Sequence, residues 1–415
     1  MRNTALIIVT LDTKAEEALF IKDLLASQGL EVLIMDGGGL GQPPAVADIT
    51  RTQVAARAGY DLAALVTTAD KGRIIAGMTE GLTAWVRALY QEGRIQGVLA
   101  LGGGQGTAMG TAAMQVLPLG FPKVMVTTLA ASNLRPFLET KDIAVFPSVA
   151  DMLGMNHILA LTLGNAANAL AAMVLQRSVS QTRPRCTVGA TAFGTTTPGL
   201  MKLRDLLRSP DLEMVFFHAT GIGGASMESL AEEGWFDLLL AWTIHEVVDL
   251  VAGGIFAARP NFLDLLARRE IPCLVSTGAI DYICQGPLAE LDNAWQNRNI
   301  IVHNRNITLV RAKPAEMIRA AGFLADKLNR ARGPVKVMIP LEGFSEPNAR
   351  GKQFYDPEAD QRFTGALKVA LRRDIEVIEL ARHINDDAFI ERAAREIESL
   401  LPSLEPGGVT APTGS

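Results

Sequence analysis

Short, almost wholly apolar runs alternate along this chain with longer segments whose apolar positions recur at helical spacing. Residues 5–10 read as a buried strand. Residues 14–28 then place Ala18, Ile21, Leu24 and Leu25 on one helical face, and Gly29 ends that helix. A second strand is predicted over 32–35, closed by Asp36-Gly37-Gly38-Gly39. Helical patterns at 51–58 and 72–90 lead to strands at 98–101 and 123–128. After a polar linker at 178–185 the alternation restarts, with strands predicted at 187–190, 214–217, 238–241, 273–276, 335–339 and 375–378. Helices are expected at 260–269, 314–330 and 357–371, each opening on a proline, which a first helical turn tolerates. A last helix is expected at 386–401. This alternation predicts βαβ units and mostly parallel sheets, an α/β fold. The expected domains are 1–182 and 183–403, with a disordered tail at 404–415.

Two predicted strands run directly into glycines. Leu101 precedes Gly102-Gly103-Gly104-Gln105-Gly106-Thr107, and Phe217 precedes His218-Ala219-Thr220-Gly221-Ile222-Gly223-Gly224. Glycine lets backbone N–H groups crowd a ligand, and a helix N-terminus behind it carries partial positive charge. Each junction is therefore a candidate phosphate or carboxylate site. The first matches neither the P-loop nor a clean G-x-G-x-x-G, so the argument rests on the glycines, the Thr107 hydroxyl and the helix start.

Other strand ends add polar groups. Thr10 and Thr13 offer hydroxyls, Lys14 a charge for phosphate, and Asp12 either a metal ligand or a helix cap. Asp36 ends the second strand, where an acidic residue bonds ribose hydroxyls or caps a turn. Thr127 and Thr128 end the fourth strand, whereas Lys123 begins it and reads as structural. In the second half, His218 is a candidate acid, base or ligand, with Glu228 placed to orient its loop. His245 and Glu246 are adjacent and diverge on a helix, and the five histidines are scattered, so no metal site built on a His/Cys/Asp cluster is predicted.

Composition narrows the classes. A chain of 415 residues with 48% hydrophobic content suits two domains with sheets buried on both faces. A net charge of -5 and 6% aromatic residues argue against nucleic-acid and anionic-membrane binding. Cys186, Cys273 and Cys284 fit no disulfide framework or zinc pattern. No signal peptide is evident, and the apolar stretch at 158–175 is broken by Asn165 and Asn168, so a cytoplasmic protein with a buried or interdomain helix there is expected.

Taken in order, several motifs resemble a known family across the full chain. They are Asp12-Thr13-Lys14-x-x-Glu17, Leu101-Gly-Gly-Gly-Gln-Gly-Thr107, Leu117-Pro-x-Gly-x-Pro-Lys123, Asn165-Ala-Ala167, the run from His218 through Gly224 to Glu228, His303-Asn304, and Asp356-Pro-Glu-Ala-Asp360. The family is that of the ATP-binding domain of the tomato protein conferring tobamovirus resistance, with many bacterial proteins of unknown activity. The resemblance implies two Rossmann-like, doubly wound domains. It also implies ATP bound mainly by the N-terminal one, and a homodimer or higher homo-oligomer. The chain departs from the pattern at Ala131-Ser132-Asn133, where Gly-Asp is usual, and around Leu240-Ala-Trp-Thr-Ile-His245, where an aspartate–threonine pattern is usual.

The expected function is nucleotide binding, with Mg²⁺ at Asp12, in an enzyme acting on a small anionic substrate in an interdomain cleft that the two sheets face. Two alternatives stand beside it: a non-catalytic nucleotide-dependent sensor or assembly partner, and an ATP-independent enzyme of small-acid catabolism.

Overall fold

The structure, a computed structural model, describes residues 3–44, 47–129, 134–176 and 184–401. The departure at Ala131-Ser132-Asn133, the expected tail and most of the expected linker lie outside these residues. The chain divides into two compact units, Met1–Gln181 and Thr182–Ser415.

The first unit runs β1 (Thr4–Val9), α1 (Leu11–Ser27), β2 (Glu31–Asp36), α2 (Arg51–Arg57), α3 (Leu62–Thr67), α4 (Lys71–Gln91), β3 (Gly97–Gly102), α5 (Gly104–Met114), β4 (Lys123–Thr127), α6 (Arg135–Leu138), β5 (Ala144–Pro147) and α7 (His157–Leu175). Its five strands form one parallel sheet in the order β2-β1-β3-β4-β5. Every residue of β1, β3 and β4 is buried, because helices cover both faces; hence the unbroken apolar runs. Along β1, Ala5, Ile7 and Val9 face a core built with α1 and α7, while Leu6 and Ile8 face one built with α4 and α5. That is the period-two alternation of a strand. β5 escapes the sequence reading because it is a four-residue edge strand that is only half buried. Among the described residues, α7 is the one helix long and apolar enough to cross a membrane. Its Leu159, Leu163, Leu170 and Val174 are spent on the sheet core.

The second unit contains β6 (Cys186–Ala192), α8 (Thr197–Leu206), β7 (Leu212–His218), α9 (Ile222–Glu232), β8 (Leu238–Thr243), α10 (His245–Ala252), β9 (Cys273–Gly278), β10 (Tyr282–Gln285), α11 (Asn293–Gln296), β11 (Ile300–Asn304), β12 (Ile307–Arg311), α12 (Pro314–Asn329), β13 (Val335–Pro340), α13 (Pro357–Ala370), β14 (Glu376–Leu380) and α14 (Asp387–Leu400). Six strands form a parallel sheet ordered β7-β6-β8-β9-β13-β14. A small antiparallel sheet, β10-β12-β11, is inserted after β9. Each unit is thus a doubly wound α/β sheet, and both follow the strand order 2-1-3-4-5, the second adding a sixth strand.

Two local expectations change. α1 begins at Leu11, three residues before the predicted start, because Asp36 in β2 accepts the Leu11 N–H at 3.1 Å. Residues 260–269 form no α-helix. Leu263 adopts φ 59°, which breaks the helical path and leaves only a 3-10 turn at Asp264–Ala267.

Candidate functional site

In a doubly wound sheet the strand order reverses at one point, and ligands bind outside the carboxyl ends there. In the first unit that point lies between β1 and β3, which lead into Thr10 and Gly103. A cavity of about 180 Å³ opens at this end of the sheet. Thr10, the N-cap of α1, and Asp12 and Thr13 of its first turn line it, with Gly37, Gly38 and Gly39 after β2, Lys71 at the start of α4, and Gln105 in the first turn of α5. Met78 and Met109 supply an apolar side. Three helix N-termini therefore converge on one cavity, and their dipoles favour an anion.

These N-termini are not equivalent. Asp70 caps α4 by accepting from the Arg73 N–H, and Asp36 holds the Leu11 N–H of α1. α5 starts behind Gly103 with no side-chain cap, so its first N–H groups are left for a ligand or water. Asp12 adds a carboxylate whose buried Oδ1 has no hydrogen-bond partner. A Cβ on Gly38 would stand 3.2 Å from that oxygen, so the glycine loop wraps the acid closely.

The other predicted residues separate into those that face ligand space and those that build it. Asp36 is buried, and its Oδ1 accepts N–H groups from Leu11 and, at 2.8 Å, Gly38. Burial raises its pKa above the ordinary value against those bonds, so it works as the brace between the two loops. Lys14 turns its Nζ to the Met152 carbonyl at 2.9 Å, away from the cavity lining. Thr107 and Thr127 bond one another at 2.6 Å in the interior, so neither presents its hydroxyl outward. Gly102 and Gly106 serve packing: a Cβ on Gly102 would lie 2.8 Å from the Gly106 Cα. Gly103, Gly104 and Gln105 remain open, and the exposed Thr128 lies beside Gly103. The sequence reading missed Lys71, which looks like any exposed residue of a helix start until the start of α4 is placed beside the glycines after β2.

The second glycine loop has a different position and a different content. It follows β7, the edge strand next to β6, and so matches the loop after β2 rather than the one after β3. Each of its glycines answers a demand of the fold. Gly221 has φ 80°, and a Cβ on Gly223 would come within 1.8 Å of the His218 carbonyl oxygen. A Cβ on Gly224 would meet the Glu246 Oε2 at 2.6 Å. The buried Glu246 side chain accepts the Gly221 N–H, so the chain's own carboxyl group occupies the start of α9.

His218 is exposed and stacks on Phe193 at 5.2 Å. Glu228 does not join it in a bonded pair: its carboxylate accepts the Leu263 N–H at 2.7 Å, holding the residue that breaks the 260–269 segment. Burial pushes the Glu228 pKa up to about 8, from an ordinary 4.5. Between those values the unfolded chain has released the proton and the folded chain keeps it. Stability therefore falls as pH rises through this window, by roughly 1.4 kcal/mol per unit at most. Urea unfolding of Glu228→Gln is expected to lose this slope, so the variant gains on wild type between pH 5 and pH 8. Parallel pH profiles would refute the assignment.

The comparisons with known proteins follow the same two-part division. Residues 3–179 match the N-terminal domain, and residues 185–401 the C-terminal domain, of the family described as Uncharacterised protein family (UPF0261). A UPF0261 protein of Clostridium tetani is 36% identical over 402 residues, covering 97% of this chain and all of the relative. One from Rhizobium meliloti is 37% identical, covering 93% of this chain and 96% of the relative. The ToMV resistance protein Tm-1 of Solanum lycopersicum is 37% identical over 78% of this chain, which spans 44% of that longer protein. Among solved structures, a UDP-GlcNAc 2-epimerase of Methanocaldococcus jannaschii in complex with UDP-GlcNAc and UDP aligns over 96% of this chain and 99% of its own, at 9% identity and a TM-score of 0.23. With both domain models matched in order and a full-length relative at 36% identity, the chain belongs to the UPF0261 family.

Proposed function

We propose that the N-terminal unit binds a nucleoside triphosphate of the ATP type, its phosphates lying against the first turns of α1, α4 and α5. The uncapped start of α5, at the point where the strand order reverses, carries this reading. The second glycine loop offers no such opening, because Glu246 already meets the start of α9 there. Lys71 adds a point charge for phosphate, and Thr10 and Thr13 add hydroxyls.

Magnesium fits the donor set. Mg²⁺ binds through one or two carboxylates together with phosphate oxygens and water, and Asp12 offers one partnerless carboxylate oxygen at the cavity. When bound, the ion would neutralise phosphate charge. Asp36 then acts indirectly, by fixing the loops that carry Asp12 and Gly38.

Calorimetric titration with ATP, with and without magnesium, tests the reading. Wild type is expected to bind Mg·ATP at one site. Asp12→Asn is expected to weaken Mg·ATP about tenfold or more while leaving metal-free ATP nearly unaffected. Absence of both binding heat and thermal stabilisation in wild type would remove the proposal.

A further inference from the structure

The second unit buries a group of side chains that its fold does not use up. His245 and Asp249 stand four residues apart on α10, and so share one helical face. Cys284 approaches from β10. One ligand atom from each lies within 4.8 Å of the other two, and all three residues are completely inaccessible or nearly so. Both ring nitrogens of His245 lack a hydrogen-bond partner, although buried polar nitrogens almost always have one. Its ring is held by Phe193 at 4.2 Å and Tyr282 at 6.1 Å, neither of which offers it a bond.

We propose that His245, Asp249 and Cys284 bind one zinc-class divalent ion through imidazole nitrogen, carboxylate oxygen and thiolate sulfur. This mixed N, O and S set suits a borderline-soft ion better than magnesium or calcium. Donors around a tetrahedral zinc stand about 3.3–3.8 Å apart, so small side-chain rotations of about 1 Å close the site. Asp249 is already braced for this role. Its Oδ1 accepts the Cys284 N–H at 2.9 Å and its Oδ2 the Phe256 N–H at 3.0 Å, which fixes the carboxylate while leaving further lone pairs.

Protons and charge balance. Burial keeps His245 neutral, pushing its pKa down to about 3, and pushes Asp249 up to about 8; Cys284 is also raised by burial, then by Asp249. Uptake of the ion releases the Asp249 and Cys284 protons to solvent, and the two resulting negative charges match the two positive charges of the metal. The H-x-x-x-D spacing was present in the sequence, but Cys284 joins it only through the β10 insertion.

The test uses the full chain, without a histidine tag, from cells grown with added zinc or with added cobalt. Wild type is expected to carry about one ion per chain by elemental mass spectrometry, and the cobalt form to show a thiolate-to-metal charge-transfer band. Cys284→Ala should lose the band, and His245→Phe, which keeps the aromatic packing, should lose the metal. Asp249 is left intact because its loss would free two backbone N–H groups. Wild type with less than about a tenth of an ion per chain from both media overturns the proposal. So does metal retained in both variants, or a cobalt form without the thiolate band.

Discussion

Gly103→Asp is expected to weaken Mg·ATP binding by at least tenfold, about 1.4 kcal/mol, without lowering the melting temperature. Gly103 is the N-cap of α5 at φ -78° and ψ -156°, an extended conformation that any residue adopts. An added Cβ there would meet only the Thr128 Oγ1, at 3.7 Å. Aspartate is a favoured N-cap, so its carboxylate can accept the first N–H groups of α5 and stabilise the helix slightly. Those are the groups assigned to the ligand. The variant would reproduce inside the first unit what Glu246 does in the second: an internal carboxyl group meets the helix start and excludes an external ligand. Calorimetry and thermal unfolding together read the outcome. Unchanged affinity in a folded variant would move the ligand away from α5.

Gly223→Ala is expected to act in the opposite way, lowering stability by about 3 kcal/mol or more with little direct effect on ATP affinity. The new methyl would lie 1.8 Å from the His218 carbonyl oxygen, a backbone atom of β7 that side-chain rotation cannot relieve. The end of β7 or the start of α9 would have to move, disturbing the Glu246 bond to Gly221. Chemical denaturation of the second unit measures the loss. A variant as stable as wild type would show that the loop tolerates a side chain and is not fixed by this contact.

The strands were legible because helices on both faces make their apolar runs continuous, as at Ile7, Leu99 and Val124. Strand order was not, since nothing near residues 5–10 says that β1 lies between β2 and β3. The site was accordingly read only in part. Thr10, Asp12, Thr13 and Gln105 were found because they follow strands, and the cavity gathers them. Lys14 was read as the phosphate charge and Lys71 was missed, because nothing local to Lys14 shows the backbone kink there, φ -139° and ψ 35°, or that its Nζ turns to the Met152 carbonyl. The two glycine loops looked alike because sequence reports glycine, not its cause. Gly103 has open space around its missing side chain, whereas Gly223 has a carbonyl oxygen. The partner of the second loop, Glu246, lies 25 residues from Gly221, and that separation hides a filled anion site from any local motif.

Amide hydrogen exchange with and without Mg·ATP separates the two loops in one measurement. The account predicts slowed exchange at residues 11–14 and 103–107, with residues 218–224 unchanged. Protection of 218–224 with none at 103–107 would contradict it.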